Sequence, residues 1–257
     1  MRSQARQQRK ARVPGPLLSA AFRPLAVALL AVCVAVTTSL GLWLMHKSQA
    51  SGLDSVIDWG LRVNLYRDRA ILVRVGEIAD PLQTTEITVA IVLACLATRR
   101  WRGALLAAVA IPAAGALTED LLKPLFDRTS QGHLEFPSGH STGAFAMAAV
   151  CVVLLLGPLR PHLSDTLREF LAVAAALTAA GVAVAVVALD FHYFTDTVAG
   201  AAVGTGVVLA TALLLDRLIP SRSPDRPAAV PPEAARGGAD SPARGGADSP
   251  ARSGAES

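Results

Sequence analysis

Six separate stretches of this chain are apolar for about the length a helix needs to cross a hydrocarbon core, roughly 20 residues. They fall at residues 24–45, 81–98, 103–122, 141–159, 170–189 and 197–215. Inside a bilayer every backbone N–H and C=O must be satisfied within the segment, so such runs fold as helices. The expectation is therefore an all-α, polytopic membrane protein, a bundle of six transmembrane helices. The second run is the most dilute, because Gln83, Thr84, Thr85 and Glu86 sit in its first turns. Composition agrees: 52% of the residues are hydrophobic and only 17% charged, against about a quarter charged in soluble domains.

The first run follows a segment, residues 1–23, that holds Arg2, Arg6, Arg9, Lys10, Arg12 and Arg23 and no acid. A cleaved signal peptide has a shorter apolar region, ~7–15 residues, so a retained first helix is expected. The net charge of +4 resides in tails and short loops, the pattern of membrane orientation rather than of nucleic-acid binding. The N-terminal tail, the Arg99–Arg100–Trp101–Arg102 turn and the loop at 160–168 are the basic connections. They place both termini in the cytoplasm of a cell membrane. Residues 46–80 are polar and mixed in charge, with a short surface helix expected around 53–66 and with Asp54, Asp58, Asp68, Glu77 and Asp80 offsetting the basic residues.

Three regions result: a basic tail at 1–23, a membrane domain at 24–219 and a tail at 220–257. The last carries ARGGADSP at 235–242, again at 243–250, then ARSGAES. A repeat without apolar periodicity cannot bury a core, so this tail is expected to be disordered. Cys33, Cys95 and Cys151 lie within apolar runs and read as packing residues. No metal-type cysteine spacing and no cofactor motif is present.

Alternating helices bring the end of the third span, the start of the fourth and the start of the sixth to the same outer side. One layer then holds Lys123, Arg128, Ser138, Gly139, His140, His192 and Asp196. Pro137-Ser138-Gly139-His140 leads into a helix, whose first N–H groups and positive dipole end attract an anion. Gly139 permits close backbone approach, and Lys123 and Arg128 supply charge suited to phosphate oxygens. If the sixth helix starts at or before His192, His192 and Asp196 share one helical face. The carboxylate would then fix the imidazole tautomer and free the other nitrogen for attack on phosphorus. His140 can protonate the leaving oxygen. Glu119 and Asp120 can order the cations, and His133, Asp190, Tyr193 and Phe194 read as loop or interfacial residues.

The order Lys123…Arg128, PSGH at 137–140 and His192-Tyr193-Phe194-Thr195-Asp196 resembles the type 2 phosphatidic acid phosphatase (lipid phosphate phosphatase) superfamily, with its motifs K-x6-R-P, P-S-G-H and S-R-x5-H-x3-D. The resemblance implies six membrane helices and a metal-independent phosphatase. His192 would be the nucleophile that becomes phosphohistidine, Asp196 its partner and His140 the acid. Lys123, Ser138 and Gly139 would bind phosphate, and Arg128 would stand in for a family arginine. Two family arginines are absent: Ser130 and Gln131 occupy the R-P positions, and Ala185 and Val186 the S-R positions. One lost charge-assisted hydrogen bond weakens phosphate stabilisation by ~1.5–3 kcal/mol, roughly ten- to hundredfold in rate if felt only in the transition state. The expected substrate is a lipid phosphate or diphosphate at the outer face. The alternative is a non-catalytic lipid-phosphate binder or transporter.

Overall fold

The structure is a computed structural model that describes residues 15–130, 132–158 and 163–219. The basic segment at 1–14 and the repeat tail lie outside the described residues, as does Gln131.

Nine α-helices make up the described membrane unit. They are α1 (Arg23–Leu44), α2 (Gly52–Leu65), α3 (Arg69–Glu77), α4 (Pro81–Ala97), α5 (Trp101–Ala116), α6 (Lys123–Phe126), α7 (Gly139–Leu156), α8 (Asp165–Ala188) and α9 (Phe194–Leu218). A π-helical turn, Leu117–Leu122, joins α5 to α6, so that Trp101–Phe126 runs as one span. Five helices are long and apolar enough to cross a membrane, and α4 supplies a sixth when taken with the bent segment before it. The dilute second run is thus a helix of 17 residues, the shortest of the six.

The bundle is built around α7 and α9. Gly200 and Gly204 of α9 face the backbone of α7: a Cβ on Gly204 would lie 2.3 Å from the Thr142 carbonyl, and one on Gly200 2.5 Å from that of Ser138. Small residues at this spacing let helices touch backbone to backbone. One core cluster joins Leu106, Ala107 and Ala110 of α5 to Ala146 and Val150 of α7 and Val208 and Ala212 of α9. A second joins Ala144 and Ala148 of α7 to Ala179, Val182 and Val186 of α8. Outward faces stay apolar: Val32 and Val34 of α1 are 57% and 58% exposed, as lipid-facing residues should be.

At one end of the bundle Arg102 donates to Asp216 at 2.7 Å, and the Asp216 carboxylate also accepts the Leu17 and Leu18 N–H groups. This end carries the Arg99–Arg102 turn. The opposite end carries the start of α7, the start of α9 and the π turn.

Two expectations change here. Residues 46–80 hold two helices rather than one, and α2 is not merely a surface element. Ser51 caps it, accepting the Asp54 N–H at 3.1 Å, yet Asp54 and Asp58 are buried. Leu53, Val56, Trp59 and Val63 point outward instead. The inverted pattern exists because the two acids serve the ends of other helices. The fifth helix also begins earlier than expected, at Asp165, where Ser164 caps it. Arg168, expected in a loop, is consequently buried within α8.

Candidate active site

The site forms where the π turn, α7 and the start of α9 meet. Ser138 caps α7, its Oγ accepting the Ser141 N–H at 3.3 Å. Its backbone N–H donates to the Asp196 carbonyl at 3.0 Å, which ties the start of α7 to the start of α9. His140, in the first turn of α7, therefore projects beside His192, which precedes α9. Their ring centroids are 5.9 Å apart. The two rings share a cavity of about 520 Å³ lined also by Glu119, Lys123, Ser130, His133 and Glu135.

The π turn sets the cationic side. Within it and just after it, Glu119 and Lys123 form an ion pair at 2.8 Å. A Cβ on Gly139 would meet Glu119 Oε1 at 2.5 Å and Lys123 Nζ at 4.0 Å. The lysine, the carboxylate and the glycine backbone are thus packed into the place where an anion would bind at the α7 N-terminus. Single π turns in longer helices recur at functional sites.

Arg128 is placed differently from the expectation. Asp127 adopts a left-handed conformation, φ 46°, ending α6 and turning the next residue inward. The Arg128 guanidinium, fully buried, donates to Asp54 at 2.8 Å, to Asp196 at 2.5 Å and to the Thr195 hydroxyl at 2.7 Å. It also lies over the Tyr193 ring, 4.5 Å from the centroid. A cation so engaged by two carboxylates serves as a clamp between α2 and α9 and does not line the cavity. Spacing alone does not reveal this clamp, because Asp54 lies 74 positions away in a segment of mixed charge.

The clamp has a second acid beside it. Asp58 Oδ1 accepts the Phe194 N–H at 3.1 Å, and Asp54 Oδ1 accepts that of Thr195 at 2.9 Å. These are orphan donors at the start of α9, satisfied from α2 rather than from their own helix. Burial pushes the Asp58 carboxyl up to about 6, with the Phe194 N–H pulling the other way. Burial also acts to raise Asp54, yet the Thr195 N–H, Arg128 and Ser51 hold it below the usual carboxylate value.

The i, i+4 pairing expected of His192 and Asp196 does not form. α9 begins at Phe194, after His192, so the two residues are not on one helical face. The Asp196 carboxylate accepts from Arg128 and, at 3.1 Å, from the Tyr193 N–H. His192 Nδ1 instead lies 2.6 Å from Glu135 Oε2, an approach whose angle falls outside hydrogen-bond geometry. His140 Nε2 lies 3.0 Å from Asp80 Oδ1. Sequence reasoning passed over both Glu135 and Asp80. The signal for Glu135 was its place just before the PSGH motif.

Ligand-type atoms of Glu135, His192 and Asp196 come within 4.8 Å of one another. The Asp196 oxygens are already taken by Arg128 and the Tyr193 N–H, so the trio is a poor cage for a cation and suits charge balancing around His192. Among the other sequence-derived candidates, Lys123, His140 and His192 line one cavity. Ser138 is buried beneath it, and Gly139 abuts the Glu119–Lys123 pair.

Residues 112–220 match the model of the PAP2 superfamily. No curated protein sequence matches the chain. Among solved structures, the chain is similar to the first transmembrane PAP2 type phosphatidylglycerolphosphate phosphatase from Bacillus subtilis, with a TM-score of 0.60 at 17% identity. The similarity covers 77% of this chain and 98% of that one. At that identity the likeness is one of fold.

Proposed function

We propose that this chain, whose residues 112–220 match the model of the PAP2 superfamily, is a membrane phosphatase that hydrolyses a lipid phosphate or diphosphate without a metal ion. The observation that carries the reading is the pair of imidazoles, His140 and His192, 5.9 Å apart over a cavity lined by Lys123. In the first half-reaction a His192 ring nitrogen attacks phosphorus as the bond to the lipid oxygen breaks. His140 gives its proton to that leaving oxygen. In the second, His140 takes a proton from water, the water oxygen attacks phosphorus, and the N–P bond breaks to release phosphate. Lys123, the Ser138–Gly139 backbone and the dipole of α7 offset the charge on the phosphoryl oxygens.

A lipid substrate suits a site at helix ends, where a headgroup reaches the cavity while its tail stays in the bilayer. Polyprenyl diphosphate, phosphatidate and phosphatidylglycerol phosphate are the candidate substrates. The basic turn at 99–102, with Arg160 between α7 and α8, supports a cytoplasmic location for that end of the bundle. The cavity then opens at the outer face.

One observation favours a second reading, a non-catalytic binder. The family arginines are absent, and Arg128 is withdrawn into the clamp, leaving Lys123 to face the phosphate.

The test is phosphate release from a panel of these lipids by detergent-purified protein in EDTA, beside His192→Ala and His140→Ala. Turnover that persists in EDTA and collapses in both variants is expected. Binding without release from any lipid would favour the second reading.

A further inference from the structure

We infer that Asp80 is a positioning residue for His140: it holds a proton on Nε2 of that imidazole and leaves Nδ1 to exchange a proton with the reacting oxygens. This role rests on the acid and base duties proposed for His140 above.

Asp80 Oδ1 lies 3.0 Å from His140 Nε2 in hydrogen-bond geometry, with the two side chains 41% and 29% exposed. An ionised carboxylate can only accept, so the bond requires the hydrogen on Nε2. Asp80 occupies the N-cap position of α4, in extended conformation ahead of Pro81, yet its side chain makes no capping bond to that helix. A carboxylate at this position ordinarily accepts an N–H of the first turn; here it reaches α7 instead. The backbone beneath it is fixed. The Asp80 N–H donates to the Glu77 carbonyl at 3.1 Å, and the Asp80 carbonyl accepts the Thr84 N–H at 2.8 Å. Ala79 shares a core cluster with Ala144 and Ala148 of α7 and Val182 of α8. A Cβ on Gly143 would lie 3.4 Å from Thr84 Oγ1. The starts of α4 and α7 are therefore packed side by side, at the 51° bend that joins α4 to the segment before it.

In the first half-reaction the His140 imidazolium gives its Nδ1 proton to the lipid oxygen as the P–O bond breaks, and a lone pair is left on Nδ1. In the second, Nδ1 takes a proton from the water whose oxygen bonds to phosphorus as the N–P bond breaks. The Nε2–H stays on Asp80 throughout, so the ring alternates between one neutral tautomer and the imidazolium and never has to flip. The carboxylate also favours the charged ring. His192, Lys123, Glu119, Glu135, His133 and Asp190 are the ionisable groups that share its cavity, and Asp196 adjoins His192. Among the described residues none of these hydrogen-bonds the His140 ring.

The test is 15N NMR of full-length protein in detergent with labelled histidine, His140 being assigned by the signal lost in His140→Ala. Wild type is compared with Asp80→Asn, Asp80→Glu and Glu77→Gln, the last removing a carboxylate of similar exposure, 40%, three residues away. Neutral His140 in the wild type is expected as the Nε2–H tautomer. Asp80→Asn is expected to lower its pKa by about one unit, the low end for an adjacent opposite charge because the pair is partly hydrated. Asp80→Glu should restore most of that shift, and Glu77→Gln should move it little. With a lipid phosphate that is turned over, the alkaline limb of the kcat profile should move to lower pH by the same unit in Asp80→Asn. That is about a tenfold loss on the alkaline side, with KM and the rate on the acid side nearly unchanged. A merely structural role would lower the rate at every pH. A wild-type Nδ1–H tautomer overturns the assignment, as does a His140 pKa that Asp80→Asn leaves unmoved or that Glu77→Gln shifts as far, whether or not phosphate is released. The expected tautomer and shift in a protein that hydrolyses no lipid would uphold the Asp80–His140 pairing and overturn the proposed function instead.

Discussion

Lys123 and Arg128 are five positions apart in sequence and opposite in purpose. Lys123 reaches the cavity with a carboxylate partner that is 51% exposed, so its charge can be transferred to a ligand. Arg128 is wholly buried between Asp54 and Asp196. Removing one partner of a buried, paired charge costs about 3–5 kcal/mol, because the remaining charge is left uncompensated. Arg128→Ala should therefore lose folded protein, seen as a marked fall in the melting temperature of the detergent-solubilised chain. Lys123→Ala should keep its melting temperature and weaken phosphate binding, seen as a raised KM or lost affinity for a lipid phosphate. Sequence gave both residues the same phosphate-binding role, because charge and spacing say nothing about which partner a guanidinium finds. The partner here is Asp54, from a distant helix whose acids looked like solvated ones.

The elements were easier to read than their contacts. Five long apolar helices are where hydropathy placed them, and the small-residue spacing of Gly200 and Gly204 marked a close helix–helix approach that the structure contains. The π turn at Leu117–Leu122 was not legible, since apolar runs report only that a helix continues. Nor was the start of α9, where two residues decide whether His192 and Asp196 share a face. The α7–α9 contact sets the distance between the two imidazoles, because His140 begins one helix and His192 precedes the other. A Cβ at position 204 would lie 2.3 Å from the Thr142 carbonyl and 2.8 Å from the Ala146 nitrogen, both backbone atoms that cannot swing aside. Overpacking of this kind costs about 1–3 kcal/mol. Gly204→Ala is expected to lower both the melting temperature and turnover, whereas Gly115→Ala, with open space at its Cβ, should change neither.

The molecule as a whole separates its duties between two ends. One end is fastened by Arg102 and Asp216 together with the Leu17 and Leu18 backbone. The other brings His140, His192 and Lys123 around one cavity, supported from beneath by the Asp54–Arg128–Asp196 clamp. Charged groups buried between helices are costly unless paired, and every one of these is paired. The proposed mechanism requires His192 to carry the phosphoryl group between the two half-reactions. The direct test is rapid quenching of the purified protein during reaction with a lipid phosphate, followed by mass spectrometry of the peptide spanning residue 192. A phosphoryl group on His192 that forms and decays at rates compatible with turnover, and is missing from His192→Ala, is expected. Steady phosphate release with His192 unmodified throughout would contradict it.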